Sequence, residues 1–276
     1  MRYTRTTFAI AAAMIAALLA PTGAQATTCS DRDPLSSTYM SAWRQAYGAY
    51  SYQIAVYDLT TGCQYVAADT SKSFQTASTV KLAIAVGIME GVSAGKYSWA
   101  SVRSDMTAMI TVSSNTAASR LYRKIGRGTG IKRVASHYGM VGTAPGRSWG
   151  VTKTTALDQV RLMNRALAKT NPRISSGNRT RLLALMKRVT PTQHWGAGGG
   201  IPTGWTSAVK NGWYPTVAGD EPPVGRWRLN TVGMVYDASG KPRWIMAGYS
   251  NTWRTQSQGI RAWNSVTRQL VRTLGS

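Results

Sequence analysis

The sequence predicts an α/β fold: an antiparallel sheet flanked by helices, with an all-helical lobe between its early and late strands. Strand-like patterns occur near both ends, at Tyr52–Leu59 and again at Trp205–Val209, Arg226–Tyr236 and Arg243–Ser250. The stretch between them reads mainly as helices. The tail then places Ile260, Trp263, Val266, Leu270, Val271 and Leu274 at helical spacing. Strands from distant parts of the chain must share one sheet, so the terminal helices cover one face and the middle helices the other.

In chain order, residues 1–26 predict a secretory signal. Arg2 and Arg5 form the charged start, Phe8 to Ala20 the apolar centre, and Ala24-Gln25-Ala26 the small-residue cleavage site. The apolar run is shorter than the ~20 residues of a membrane span, so no anchor is expected after cleavage. Residues 27–276 are expected to form one domain. Its α/β part comprises 27–70 and 200–276, its helical lobe 71–199.

Pro34–Tyr47 predicts a first helix with Tyr39, Met40, Trp43 and Tyr47 on one side. Tyr52–Leu59 alternates like a half-buried strand, Thr60-Thr61-Gly62 is a turn, and Gln64–Ala68 is the returning strand. Leu82 to Met89 is apolar all round and predicts a buried helix. A short polar segment and a β-branched run ending at Val112 follow. Helices are then expected at Asn115–Ile125, Gly130–Tyr138, Thr154–Lys169 and Arg179–Val189. In the third of these, Leu157, Val160, Leu162, Met163 and Leu167 should be buried. Trp195 to Gly200 reads as a flexible loop, and Asp237-Ala238-Ser239-Gly240 as a turn.

Export permits a disulfide, and the two cysteines, Cys29 and Cys63, are expected to pair. Two histidines and two cysteines argue against structural zinc, and no cofactor is expected. The chain has 33 Lys and Arg against 10 Asp and Glu, a formal charge of +23. Outside a cell that charge suits anionic cell-wall polymers. The ten tryptophans and thirteen tyrosines are scattered without a nucleic-acid motif, so specific nucleic-acid binding is not expected.

Chemistry is concentrated at Ser78-Thr79-Val80-Lys81. A serine needs a base, and a lysine three residues on lies on the same helical face. Ser93-Ala94-Gly95-Lys96 looks like a helix end, and Ser207/Lys210 lie in a strand where i and i+3 face apart. Downstream come Ser113-Ser114-Asn115 and Lys210-Asn211-Gly212. With these three signals in this order, the chain resembles the penicillin-recognising serine enzymes, particularly class A β-lactamases, from about Tyr47 onward. The resemblance implies a β-lactamase- or transpeptidase-like fold and an acyl-enzyme on Ser78. Lys81 would accept the proton and Ser113 would relay it. Asn115 would hold a substrate amide and Lys81. Lys210 would bind the substrate carboxylate and depress the Lys81 pKa. Asn211, Gly212 and Trp213 would complete the substrate-binding strand, with the N–H groups of Ser78 and Trp213 as oxyanion hole. A β-lactam or a peptidoglycan-like peptide is the implied substrate.

Three departures qualify that expectation. Asn211 replaces the family's usual hydroxyl. Ser78 and Ser113 lie closer in sequence than usual, which predicts a more open cleft. The Gly139–Thr155 loop lacks the carboxylate that activates the deacylating water, so a slowly hydrolysed acyl-enzyme is expected. Two other functions fit parts of the sequence. Gly91-Val92-Ser93-Ala94-Gly95 with Asp158 and His194 has the order of an α/β-hydrolase esterase, although Tyr97-Ser98-Trp99 shows no helix pattern after it. A non-catalytic wall-binding module on a decayed fold is the other.

Overall fold

The computed structural model describes residues 28–67, 72–217 and 224–275. The expected signal and the lobe boundary near residue 70 lie outside the described residues. The strands are β1 (Tyr52–Asp58), β2 (Gln64–Ala67), β3 (Phe74–Gln75), β4 (Lys153–Thr154), β5 (Thr206–Pro215), β6 (Trp227–Tyr236) and β7 (Pro242–Ser250). The helices are α1 (Ser37–Tyr47), α2 (Val80–Ser93), α3 (Trp99–Thr111), α4 (Asn115–Lys124), α5 (Arg127–Tyr138), α6 (Ala156–Met163), α7 (Ser176–Lys187) and α8 (Gln256–Leu274).

Five strands form one antiparallel sheet in the order β2-β1-β7-β6-β5, and β3 pairs with β4 separately. The expected α/β class and the sharing of one sheet by early and late strands both hold. One core lies between the sheet and the middle helices, built on Leu82, Ile84, Ile88 and Met89 of α2. The other lies under α1 and α8, where Trp43, Trp253 and Trp263 meet with ring centroids 5.8–6.1 Å apart. Their indole N–H groups donate to Ala262 O, Ser250 Oγ and Leu229 O respectively, so these rings are buried without orphaned donors.

Local sequence sets the helix starts. Ser36, Ser98, Ser114, Thr155, Ser175 and Thr255 each accept a hydrogen bond from the first turn of the helix that follows. Each such cap stabilises its helix by roughly 1 kcal/mol. Cys29 and Cys63 are bonded, with Cα atoms 5.6 Å apart, tying the chain before α1 to the β1–β2 hairpin.

Several expectations need correction. Strand β1 is buried on both faces rather than half-buried, because it lies between β2 and β7 with helices over both sides. The polar segment before Met106 is helical from Trp99, with Ser98 as its cap, and the β-branched run at Thr111 is the end of α3. Helix α6 ends at Met163 and continues as a π-turn over Asn164–Ala168, with Leu157 only partly buried. Strand β5 does not stop at Val209 but runs to Pro215. Gly196–Gly198 is a buried 3₁₀ turn rather than a flexible loop. It is held by Asn264 Oδ1 accepting from Gly196 N at 2.8 Å and Thr231 Oγ1 accepting from Ala197 N at 2.9 Å.

Candidate active site

Ser78 sits in a 3₁₀ turn, Ala77–Thr79, that runs directly into α2. Three residues per turn eclipse positions i and i+3, so Ser78 and Lys81 stack more directly than in an α-helix. The sheet fixes this turn. Asn230 of β6 donates to Gln75 O at 2.9 Å and Thr76 O at 3.0 Å. Thr79 Oγ1 donates to Thr76 O at 2.8 Å and lies 2.6 Å from the Tyr249 hydroxyl of β7. Ala77 is held at φ +49°, a strained conformation for a residue with a Cβ.

The Lys81 amine is fully buried, and Ser78 is partly exposed. Lys81 Nζ lies 2.9 Å from Ser78 Oγ, 2.6 Å from Ser113 O, 3.0 Å from Ser113 Oγ and 2.8 Å from Asn115 Oδ1. An ammonium has three protons for these four oxygens, whereas a neutral amine can accept the Ser78 proton through its lone pair. Burial lowers the Lys81 pKa to about 8, which makes that neutral form accessible. Ser113 is itself strained at φ +57°, and this conformation turns both its oxygens toward Lys81.

Lys210 lies in the middle of β5, not at a strand end, and is fully buried. Its amine is 3.1 Å from Ser113 Oγ and donates to Asn211 O at 2.7 Å. Its pKa falls well below the ordinary lysine value through burial first and repulsion by Lys81 second. Burial is the leading cause at both amines, and the repulsion between them, which is mutual, disfavours the state with both charged.

Gly212 has a packing reason. A Cβ there would stand 2.6 Å from Ser78 N and 2.7 Å from Thr79 N, so only glycine lets β5 lie against the serine turn. Asn211 is buried, and its amide nitrogen donates to Gln193 O at 2.7 Å and Trp195 O at 2.9 Å. Both amide hydrogens therefore hold the loop before the 196–198 turn. The partly exposed Trp213 ring packs against Trp195, with centroids 6.0 Å apart, at the edge of the α1–α8 core.

From the Gly139–Thr155 loop it is Trp149, which the residues alone left evenly balanced between groove wall and core, that reaches the site. Its ring centroid lies 4.9 Å from Lys81 Nζ, and its indole N–H donates to Ser119 Oγ at 3.2 Å. Asp158 is fully buried in α6 and ties that loop down. Oδ2 accepts from Gly142 N and Thr143 Oγ1, both at 2.8 Å, and Oδ1 accepts from Arg161 at 3.2 Å.

The esterase arrangement is not assembled. Ser93 Oγ accepts from Ser175 N and Asn178 Nδ2. His194 Nε2 lies 2.8 Å from Ser207 Oγ, and Asp158 holds the loop. Among the described residues no group of three or more His, Cys, Asp or Glu could hold a metal ion.

No curated protein sequence matches the chain. Solved structures do. It is similar to a β-lactamase from Xanthomonas campestris pv. campestris, at 17% identity over 87% of this chain and 97% of that one, TM-score 0.73. It is also similar to a class A β-lactamase from Mycobacterium abscessus, at 18% identity over 87% and 99%, TM-score 0.71. A chromosome-encoded β-lactamase of Vibrio parahaemolyticus is similar at 15% identity over 85% and 97%, TM-score 0.68. At these identities the likeness concerns the fold. A family model described as the β-lactamase enzyme family matches residues 36–103 and 98–274, nearly the whole described chain. The chain belongs to the β-lactamase enzyme family and is a serine hydrolase of the β-lactamase type.

Proposed function

We propose that the protein is an exported acyl-transfer enzyme in which Ser78 attacks the amide carbonyl of a β-lactam or a peptidoglycan-like peptide. The observation that carries this is the Lys81 amine, 2.9 Å from Ser78 Oγ, buried, and shifted to a pKa of about 8. As Ser78 Oγ bonds to the carbonyl carbon, its proton passes to Lys81. The carbonyl oxygen becomes an oxyanion, received by the N–H groups of Ser78 and Trp213; such a donor typically contributes ~3 kcal/mol. The carbonyl re-forms as the C–N bond breaks, and the leaving nitrogen takes a proton from Ser113, which Lys81 or Lys210 replaces. Asn115 orients Lys81 and the substrate amide. Lys210 meets the substrate carboxylate, whose negative charge would draw a proton back onto that amine.

Deacylation needs a base for water. The loop facing Lys81 carries Trp149, and both Asp158 oxygens have partners, which supports slow turnover. Residues 27–276 would act as one catalytic domain after removal of 1–26. The high positive charge would favour anionic wall polymers. Among the described residues no helix is long and apolar enough to cross a membrane, and the disulfide suits an oxidising compartment. A fluorescent penicillin should label the protein covalently and persist, and Ser78→Ala should remove the label. A labelled Ser78→Ala protein overturns the assignment. An unlabelled wild-type protein that still binds wall polymer supports the non-catalytic module instead.

A further inference from the structure

Away from Ser78, at the C-terminal end of α2, a cleft of about 570 Å³ opens between α2, α5 and the chain before α7. Glu90 lies nine residues beyond Lys81 on the same helix, about 14 Å away along its axis. The volume falls within the range of small-molecule sites.

The cleft has a built floor and walls. Glu90, 9% exposed, is one of only ten acidic residues in the chain, and its Oε1 lies 2.9 Å from His137 Nδ1. Among the described residues the other imidazole nitrogen has no hydrogen bond, and His137 lines the cleft. Tyr97 crosses α2 at Gly91, where a Cβ would stand 2.4 Å from the ring, so this glycine lets the aromatic wall form. The opposite wall carries Pro172 and Arg173. It is pinned to α2 because Ser93 Oγ accepts from Ser175 N at 3.0 Å and from Asn178 Nδ2 at 2.8 Å. The two walls are therefore in place without a ligand.

Charge then selects the ligand. Lys96, Arg133 and Arg173 line the cleft, are exposed, and form no ion pair among the described residues. Among the described residues Arg133 reaches only Ile125 O, at 3.4 and 3.5 Å. Lys124 adds a fourth cation on the aromatic wall, 4.8 Å from the Tyr97 ring centroid. The one carboxylate in the lining is engaged by His137. Unneutralised guanidinium groups at the rim of a partly apolar, half-enclosed space suit a phosphate or carboxylate attached to a compact apolar body.

We infer that this cleft binds a small organic anion, with its ring or hydrocarbon body against Tyr97 and its oxyanion on Arg133 and Arg173. The site does not depend on the role of Ser78. Phenyl phosphate is a suitable probe, titrated calorimetrically into the disulfide-intact protein. Saturable 1:1 binding is expected. Arg133→Ala with Arg173→Ala removes the charge-assisted hydrogen bonds to the oxyanion and should weaken binding at least about tenfold. Ala94→Phe, which puts a ring into the cleft without changing charge, should weaken it at least about tenfold. Arg261→Ala with Arg268→Ala removes the same charge from exposed positions on α8 and should change affinity less than about twofold. Circular dichroism and the thermal midpoint identify any variant that has lost its fold. The inference is overturned by an absence of saturable binding, by full binding in folded Ala94→Phe, or by equal weakening from the α8 pair, which would reduce the effect to overall charge.

Discussion

Lys81 and Asp158 are both fully buried charged residues, and the protein treats them in opposite ways. Asp158 receives a backbone N–H, a hydroxyl and a guanidinium, one of the fullest sets of partners a carboxylate can have in an interior. Lys81 receives oxygens only, none of them a carboxylate, and its nearest cation is another buried lysine. The satisfied charge fixes a loop. The one without a counter-charge has its pKa lowered to about 8, so that the neutral, proton-accepting amine is within reach. Burial by itself therefore says little about function, and the partner set decides.

The sharpest way to break this comparison is to remove each group. Lys81→Met should slow acylation by a penicillin about 10²–10⁴-fold, the usual contribution of a positioned base. It should not lower stability at pH 7, because the folded protein then no longer buries an ammonium. The sign follows from the depressed pKa. Below about 8 the amine is charged in both states and the full penalty, on the order of 3 kcal/mol, is present. Above about 8 the unfolded chain holds more protons, so the penalty fades as pH rises toward the ordinary lysine value. Urea unfolding at pH 7 and pH 10 would measure this. A Met variant markedly less stable at pH 7 would show that Lys81 is structural.

Asp158→Ala should do the reverse, lowering stability by roughly 3 kcal/mol through the stranded Gly142 N–H and the lost bonds to Thr143 and Arg161. Acylation of the molecules that remain folded should change little; a loss as large as that of Lys81→Met would give Asp158 a part in the chemistry. Trp149→Glu should shorten the acyl-enzyme lifetime about tenfold, since even an imperfectly placed carboxylate can assist water. Pulse-chase decay of the penicillin label is the measurement, and an unchanged lifetime would separate slow turnover from the identity of this loop residue. Smallest over the usual working range, the acylation rate should rise with pH and level off above about 8, where Lys81 becomes neutral.

Much of this was legible in sequence because it is local. The all-apolar run after Lys81 announced α2, and the three-residue interval to Ser78 announced their contact. The late strands announced a sheet shared with Tyr52–Asp58. Other features were hidden for specific reasons. The full length of β5 was one, because Asn211 and Gly212 look unlike residues from the middle of a strand, yet each has a place there: a loop clamp and a close approach to the serine turn. Trp99 to Arg103 look polar because much of that first turn faces solvent, with Val102 turned to the core. The approach of Trp149 to Lys81 spans 68 residues of chain and leaves no periodic trace.

The neighbour of β1 in the sheet, β7, is the penultimate regular element of the chain. Synthesis therefore reaches Ser78 and Lys81 long before it supplies Asn230 and Tyr249, the residues that clamp their turn. A nascent or prematurely terminated chain carries the reactive pair without the frame that aligns it. Competence should thus arrive late and all at once, and fragments ending before Ser250 should be inert rather than weakly active.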